Sequence, residues 1–182
     1  MEFMETVRNR RSIRKFADRP VEQEKLEQIL EAARLCQSAK NRQPWQLLVL
    51  TGVEKDNVAK IMLDLFEKNH YDIPNYAYSS KNTAQIIKQA PVLVLVFREP
   101  DEGWRNMDLL SIGAAVEHMC LAAVDTGLGA LWIGDTAYTQ AEIRAHFQLE
   151  ALELVCAVSI GYPAEEPFMR PRKKLDEICM KG

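Results

Sequence analysis

The spacing of hydrophobic positions changes several times along the chain, and each change predicts an element. Over residues 22–35, apolar groups recur at Leu26, Ile29, Leu30 and Ala33. That is helical spacing, with Pro20 just ahead and acids in the first turn. A polar run follows, and Pro44 excludes further helix. Residues 46–51 form a short apolar run suited to a strand, and residues 54–68 a second amphipathic helix. Residues 69–80 carry Tyr71, Pro74, Tyr76 and Tyr78 without a period, which predicts a long loop or broken helix. A helix over 82–89 closes at Pro91. Residues 92–97 are five aliphatics and Phe97 in succession, the pattern of a strand buried on both faces. Residues 108–126 are apolar nearly all round, which places this helix at the centre of the structure. Gly127-Leu128-Gly129 ends it. A strand over 130–133, a short helix over 141–147, a strand over 152–160 and a loop over 163–171 complete the sequence, with a tail from Lys173 onward that can cross to another subunit. Alternation of helices and strands predicts one α/β domain over residues 1–182, with the sheet order left open.

Composition changes this picture little. With 182 residues, 47% hydrophobic and 27% charged, the chain can bury a core of its own. The first residues contain no apolar leader, and the longest apolar stretch is interrupted by Asp108, Glu117 and His118, which points to the cytoplasm and away from a membrane. Four scattered cysteines and three scattered histidines show no metal-binding spacing, so no metal is expected.

Charge changes the picture more. Residues 8–19 hold six basic side chains against Asp18 alone, and residues 170–174 hold four with no acid. These segments carry +9 within a chain of net charge −3, leaving −12 elsewhere. Such polarisation suggests that the two ends of the chain meet around an anion. Arg10-Arg11-Ser12-Ile13-Arg14 offers guanidinium forks and a hydroxyl suited to phosphate oxygens. A solvated basic loop is the bland reading, and the matching Arg170-Pro171-Arg172-Lys173 shifts the balance against it. Nucleic acid is disfavoured, because Phe16 is the single aromatic among the N-terminal arginines. Gly127-Leu128-Gly129-Ala130-Leu131-Trp132 is no dinucleotide fingerprint, since its glycines follow a helix. It reads as a helix cap and a strand whose end at Gly134 admits close approach of a flat ligand, or as a tight corner alone. No nucleophile–base set or carboxylate pair stands out, so an enzyme here would borrow its chemistry from a cofactor.

Four pieces in order resemble the nitroreductase family of FMN flavoproteins: Arg10-Arg11-Ser12-Ile13-Arg14-x-Phe16, Ser38-x-x-Asn41-x-Gln43-Pro44-Trp45, Gly127-Leu128-Gly129 with Trp132-Ile133-Gly134, and Gly161-Tyr162-Pro163 with Arg170-Pro171-Arg172-Lys173. The resemblance implies an α+β, three-layer fold, with a mostly antiparallel or mixed sheet between helices and an intertwined homodimer. It implies FMN, with NADH or NADPH as electron donor and a small-molecule acceptor such as a nitroaromatic or quinone, used in a ping-pong cycle. By the same resemblance, Arg10, Arg11, Ser12, Arg170 and Arg172 grip the phosphate, and Arg14 lies at the ring edge where negative charge develops on reduction. Ser38, Ala39, Lys40 and Asn41 come from the partner subunit, and Asn82 faces the pyrimidine end. Leu131, Trp132, Ile133 and Gly134 line one face, where the Gly134 backbone and Arg14 tune the ring. Gly113, Ala114, Ala115, Ala122 and Ala123 are assigned to the dimer seam. Gln85 stands where relatives carry a cation, and Tyr71, Tyr76, Tyr78, Trp104 and Phe168 are candidates for an aromatic lid. The alternatives are a flavin store or sensor without turnover, a flavin-fragmenting or dehalogenating relative, and an anion-binding domain without flavin.

Overall fold

In a computed structural model, the structure describes residues 2–68, 75 and 78–180. Its helices are α1 (Phe3–Asn9), α2 (Gln23–Arg34), α3 (Gly52–Lys68), α4 (Ser80–Gln89), α5 (Arg105–Asp125), α6 (Gln140–His146) and α7 (Leu175–Ile178). Its strands are β1 (Gln46–Thr51), β2 (Val92–Arg98), β3 (Gly129–Ile133) and β4 (Glu153–Gly161). The strands run in the order β1-β2-β4-β3, and every strand pair is antiparallel. The α/β reading drawn from alternation is therefore corrected to α+β. Alternation alone cannot fix strand direction, because a helix between two strands can return the chain in either sense.

The central strand β2 organises the layers. All seven of its residues are buried, and the pleat sends alternate side chains to opposite faces. Leu93, Leu95 and Phe97 pack with Val58, Met62 and Ile87 on the side of α3 and α4. Val92, Val94 and Val96 pack with Ile29, Val116 and Met119 on the side of α2 and α5. This two-sided burial explains why the strand carries no polar alternation.

Helix α5 is long and apolar enough to span a bilayer by composition, yet here it packs between α2 and the sheet. Ala115, Met119 and Ala123, four residues apart, face the sheet and are buried. The seam assigned to α5 is corrected accordingly: Ala115 and Ala123 belong to the chain's own core, while Ala114 and Ala122 line an outward groove with Phe3 and Leu121. The helix ends in a Schellman motif. Leu128 N donates to Ala123 O (2.7 Å), Gly127 N donates to Val124 O (3.0 Å), and Gly127 takes the left-handed φ of +77° that the motif demands.

Two polar devices hold the helical layers. Lys55 is buried on α3, and its Nζ donates to Ile87 O (3.0 Å) and Lys88 O (2.9 Å). A cation is thus placed on the orphan carbonyls at the end of α4. At the start of α2, Tyr162 OH donates to Glu22 Oε2 (2.6 Å), Lys25 Nζ donates to the same hydroxyl (2.9 Å), and the Arg19 guanidinium lies 3.8 Å from the Tyr162 ring centroid. The Tyr162 hydroxyl, with help from Arg19, pulls the Glu22 carboxyl down to about 2. All four cysteines are free. Burial pushes the thiols of Cys120 and Cys156 up to about 12, so both stay protonated and behave as core hydrophobes.

Lys55→Met keeps the apolar stem and strips the carbonyls of their donor, so it should cost about 2 kcal/mol in urea unfolding. Glu22 titrates lower in the folded chain than its ordinary 4.5, so its contribution is present above about 4.5 and lost as pH falls toward 2. Tyr162→Phe should therefore lower the melting temperature at neutral pH, and its deficit against the unmodified protein should shrink over that acid window.

Candidate functional site

The basic ends of the chain meet because residues 12–17 run along the sheet. Ser12 bridges in parallel to Ala130 at the start of β3, and Phe16 bridges antiparallel to Pro163 just past β4. Three backbone bonds fix this path: Ile13 N to Ala130 O (3.0 Å), Ala17 N to Tyr162 O (2.8 Å) and Ala164 N to Lys15 O (2.9 Å). The buried Ile13 and Phe16 anchor it. Gly129 is required here, since a Cβ on it would sit 2.5 Å from Ile13 Cγ1. Glu165 closes the join by accepting hydrogen bonds on Oε1 from Arg14 N (2.5 Å) and Lys15 N (3.1 Å).

This path brings Arg10, Arg11, Ser12 and Arg14 against Arg170 and Arg172 around a recess of about 80 Å³. Arg10 is paired with Glu117 on α5 (3.3 Å). Arg11 turns Nη1 onto Arg8 O (2.5 Å) and Arg10 O (2.8 Å), leaving its Nε buried without a partner. Among the described residues, no carboxylate pairs with Arg14, Arg170 or Arg172. Crowded cations of which only Arg10 has a carboxylate partner among the described residues repel one another, and a bound anion would relieve that cost. The recess has room for one small anionic group.

Arg14 also lines a second, larger cavity of about 600 Å³, so its side chain borders both spaces. This cavity follows the outer edge of β3. The Ala130 carbonyl points away from β4 to meet Ile13, and strand alternation sends the backbone N–H and C=O of Trp132 the same way, toward the cavity. Leu131, Ile133 and Gly134 continue this wall, and Asn82, Thr83 and Ile86 of α4 form the opposite one. Asp135 ties the two walls together. It is buried, and its Oδ2 accepts from Ser79 Oγ (2.8 Å) and Thr83 Oγ1 (2.7 Å) on either side of Asn82. At Gly134 φ is −103°, an ordinary value, and nothing lies within 4 Å of where a Cβ would stand. Neither backbone strain nor crowding within the chain calls for glycine there. The absent side chain leaves a flat stretch of cavity wall.

Ser38, Ala39, Lys40 and Asn41 lie on a separate loop and line neither space within one chain. Gln85 is exposed and does not line the larger cavity. Of the aromatic lid, Tyr71 and Tyr76 fall outside the described residues, and Trp104 instead stacks on Arg42 at 4.6 Å. Tyr78 and Phe168 are exposed. The sequence reading missed Asp135 and Glu165. The position of Asp135, directly after Gly134 at the end of the strand motif, was the available signal.

The profile of the Nitroreductase family matches residues 7–162. A Methanothermobacter thermautotrophicus protein provisionally named an NADH dehydrogenase/NAD(P)H nitroreductase is 31% identical over 187 residues, spanning 100% of this chain and 87% of its own. The iodotyrosine deiodinase of Thermotoga neapolitana is 24% identical over 176 residues, spanning 93% of this chain and 92% of its own. A crystal structure of a provisionally named nitroreductase from Desulfovibrio desulfuricans, in complex with FMN, superposes with a TM-score of 0.80 at 28% identity, covering 100% of this chain and 97% of that one.

Gly134→Ala restricts the unfolded chain and meets no obstacle in the folded one. It should stabilise the ligand-free protein by about 0.4–1 kcal/mol in thermal or urea unfolding.

Proposed function

The chain belongs to the nitroreductase family, and we propose that it is an FMN-dependent oxidoreductase that draws electrons from NADH or NADPH and delivers them to a small organic acceptor. The observation that carries this reading is an arginine recess that shares Arg14 with a larger cavity along a strand edge. A phosphate at one end and a flat heteroaromatic ring at the other match that pair of spaces in charge and shape.

In this reading, Arg10, Arg11, Ser12, Arg170 and Arg172 hold the phosphate. The unpaired Arg11 Nε, and Arg170 and Arg172 with no carboxylate partner among the described residues, fit this demand. The outward N–H and C=O of Trp132 meet the ring's polar edge, and Asn82 faces them from α4. The bare wall at Gly134 lets the ring lie flat. Arg14 keeps a fixed positive charge at the junction, where it favours uptake of electrons by stabilising the negative charge that accompanies them. FMN, when bound, would supply reversible two-electron redox chemistry linking the nicotinamide and the acceptor in two separate half-reactions. No side chain on the cavity wall is asked to act as a nucleophile.

A homodimer completes the site in this proposal. Residues 38–41 are remote from the chain's own cavity and are available to that of a second copy. The outer face of α1 and α5 supports the pairing: Phe3 is 69% and Leu110 is 70% exposed, beside the groove at Ala114 and Ala122. Paired chains would bury this apolar surface.

Purified protein should be yellow, or become so on adding FMN, and anaerobic NADH or NADPH should bleach it. A colourless protein that cannot be reconstituted overturns the reading, and colour that persists under nicotinamide indicates storage or sensing. Product analysis with a nitroaromatic and an iodinated phenol separates nitro reduction from dehalogenation. Arg172→Ala should weaken FMN binding by roughly 10- to 100-fold, since a charge-assisted hydrogen bond contributes about 1.5–3 kcal/mol.

A further inference from the structure

Beneath the loop of residues 38–43 lies a charge-balanced cluster of three arginines and three carboxylates outside the cavity. Its root is Arg98 at the end of β2, fully buried and paired through Nη2 with Glu153 Oε2 (2.5 Å). Arg98 Nη1 also donates to Glu99 O (3.2 Å) and lies 3.6 Å from Asp108 Oδ2. Arg105 joins from the start of α5, donating to Glu153 Oε1 (2.8 Å). Arg42 reaches in from the loop: its Nε donates to Asp108 Oδ1 (3.1 Å) and its Nη2 to Asp101 Oδ2 (3.2 Å), with the guanidinium over Trp104.

Burial of Arg98 does not require Arg42. The Arg98 Nε donates to Glu153 Oε2 (2.6 Å) and its Nη1 to the Glu99 carbonyl. Among the described residues its Nη2 makes no hydrogen bond and is held by ion-pair contact with Glu153, and Asp108 is itself 1% exposed. What Arg42 adds is a tether for its own loop. That loop needs one, because Lys40, Asn41 and Gln43 all sit at left-handed φ values of 54°, 56° and 48°. Non-glycine residues held there cost free energy that the surroundings must supply. Two further bonds brace the same turn: Gln43 N donates to Ser38 Oγ (2.9 Å), and Ala39 N donates to Ser111 Oγ on α5 (3.2 Å). The turn is thus fixed to the first half of α5 while Lys40 and Asn41 stay exposed. An exposed turn held in an unfavourable conformation is poised to present its side chains to something outside the chain.

We propose that Arg42, held by the buried carboxylate of Asp108, is a positioning residue that fixes residues 38–41 for contact with the FMN held by a second copy of the chain. The inference rests on the cofactor and dimer readings above and adds a specific lever to them. Binding energy at the cofactor depends on a pair of charges on the far side of the presenting loop. Asp108 also places this lever on α5, whose outer face is the proposed seam.

The test measures FMN dissociation constants by flavin fluorescence for the unmodified protein, Arg42→Ala, Asn41→Ala, the double variant and Arg172→Ala. Hydrogen exchange is followed in the same proteins without FMN. Arg42→Ala should weaken FMN about tenfold, the equivalent of one charge-assisted hydrogen bond. It should speed exchange over residues 38–43 while leaving β2 and β4 protected. In the double variant the combined loss should fall short of the product of the two single losses, because both act through one loop. Arg42→Lys, which keeps the charge without the fork, should fall between. If Arg172→Ala weakens FMN and Arg42→Ala does not, or if the Arg42 and Asn41 losses simply multiply, the positioning role is overturned and the cofactor reading stands. If the unmodified protein takes up no FMN, both are overturned.

Discussion

The site depends on one interaction, the pairing of residues 12–17 with the start of β3 and the end of β4. An extended segment carrying many like charges has no reason of its own to approach another basic segment. Here the approach is enforced by backbone hydrogen bonds, by Ile13 and Phe16 buried at its flanks, and by Glu165 gripping two consecutive amide groups. Cohesion of the sheet and core outweighs the repulsion among the arginines. The unfavourable electrostatics are thereby retained in the folded chain, where a counter-anion would relieve them. The same pairing decides where the larger cavity begins, since covering the first part of the β3 edge leaves only the latter part open.

The walls show a division between residues that maintain the fold and residues that leave room. Gly129 is glycine because Ile13 is too close for any side chain, whereas Gly134 has empty space beside it. Asp135 belongs to the first kind although it lies in the wall, because its two hydroxyl partners lock α4 to the end of β3. The distance between Asn82 and the strand edge is therefore set by a hydrogen-bonded clamp, independent of any ligand.

Much of the architecture was legible in the amino-acid pattern. The double-sided burial of residues 92–97, the cap at Gly127 and the helix over 22–35 all have local causes that read directly from residue type and spacing. Strand direction did not, because it is decided by which edges pair across long stretches of chain. The arginine recess was legible from charge asymmetry, since both clusters lie in short segments nearly devoid of acids. Asp135, Glu165 and the Arg42–Asp108 pair were not, because each works through a partner distant in sequence. Glu165 meets Arg14 across about 150 residues, and nothing in the neighbourhood of either announces the other. The mixed allegiance of the small residues on α5 was hidden for a related reason. Ala114 and Ala115 are adjacent in sequence and point roughly 100° apart on the helix.

The half-covered edge of β3 has one more consequence. An exposed strand edge is a template on which foreign chains can extend a sheet, and long open edges invite aggregation. In this fold the N-terminal segment shields the beginning of β3, and the tight turn of Asp135–Thr139 closes the far end. The unpaired backbone between them is too brief to recruit another strand and still offers polar groups to a small molecule. Length alone thus limits strand addition at this edge.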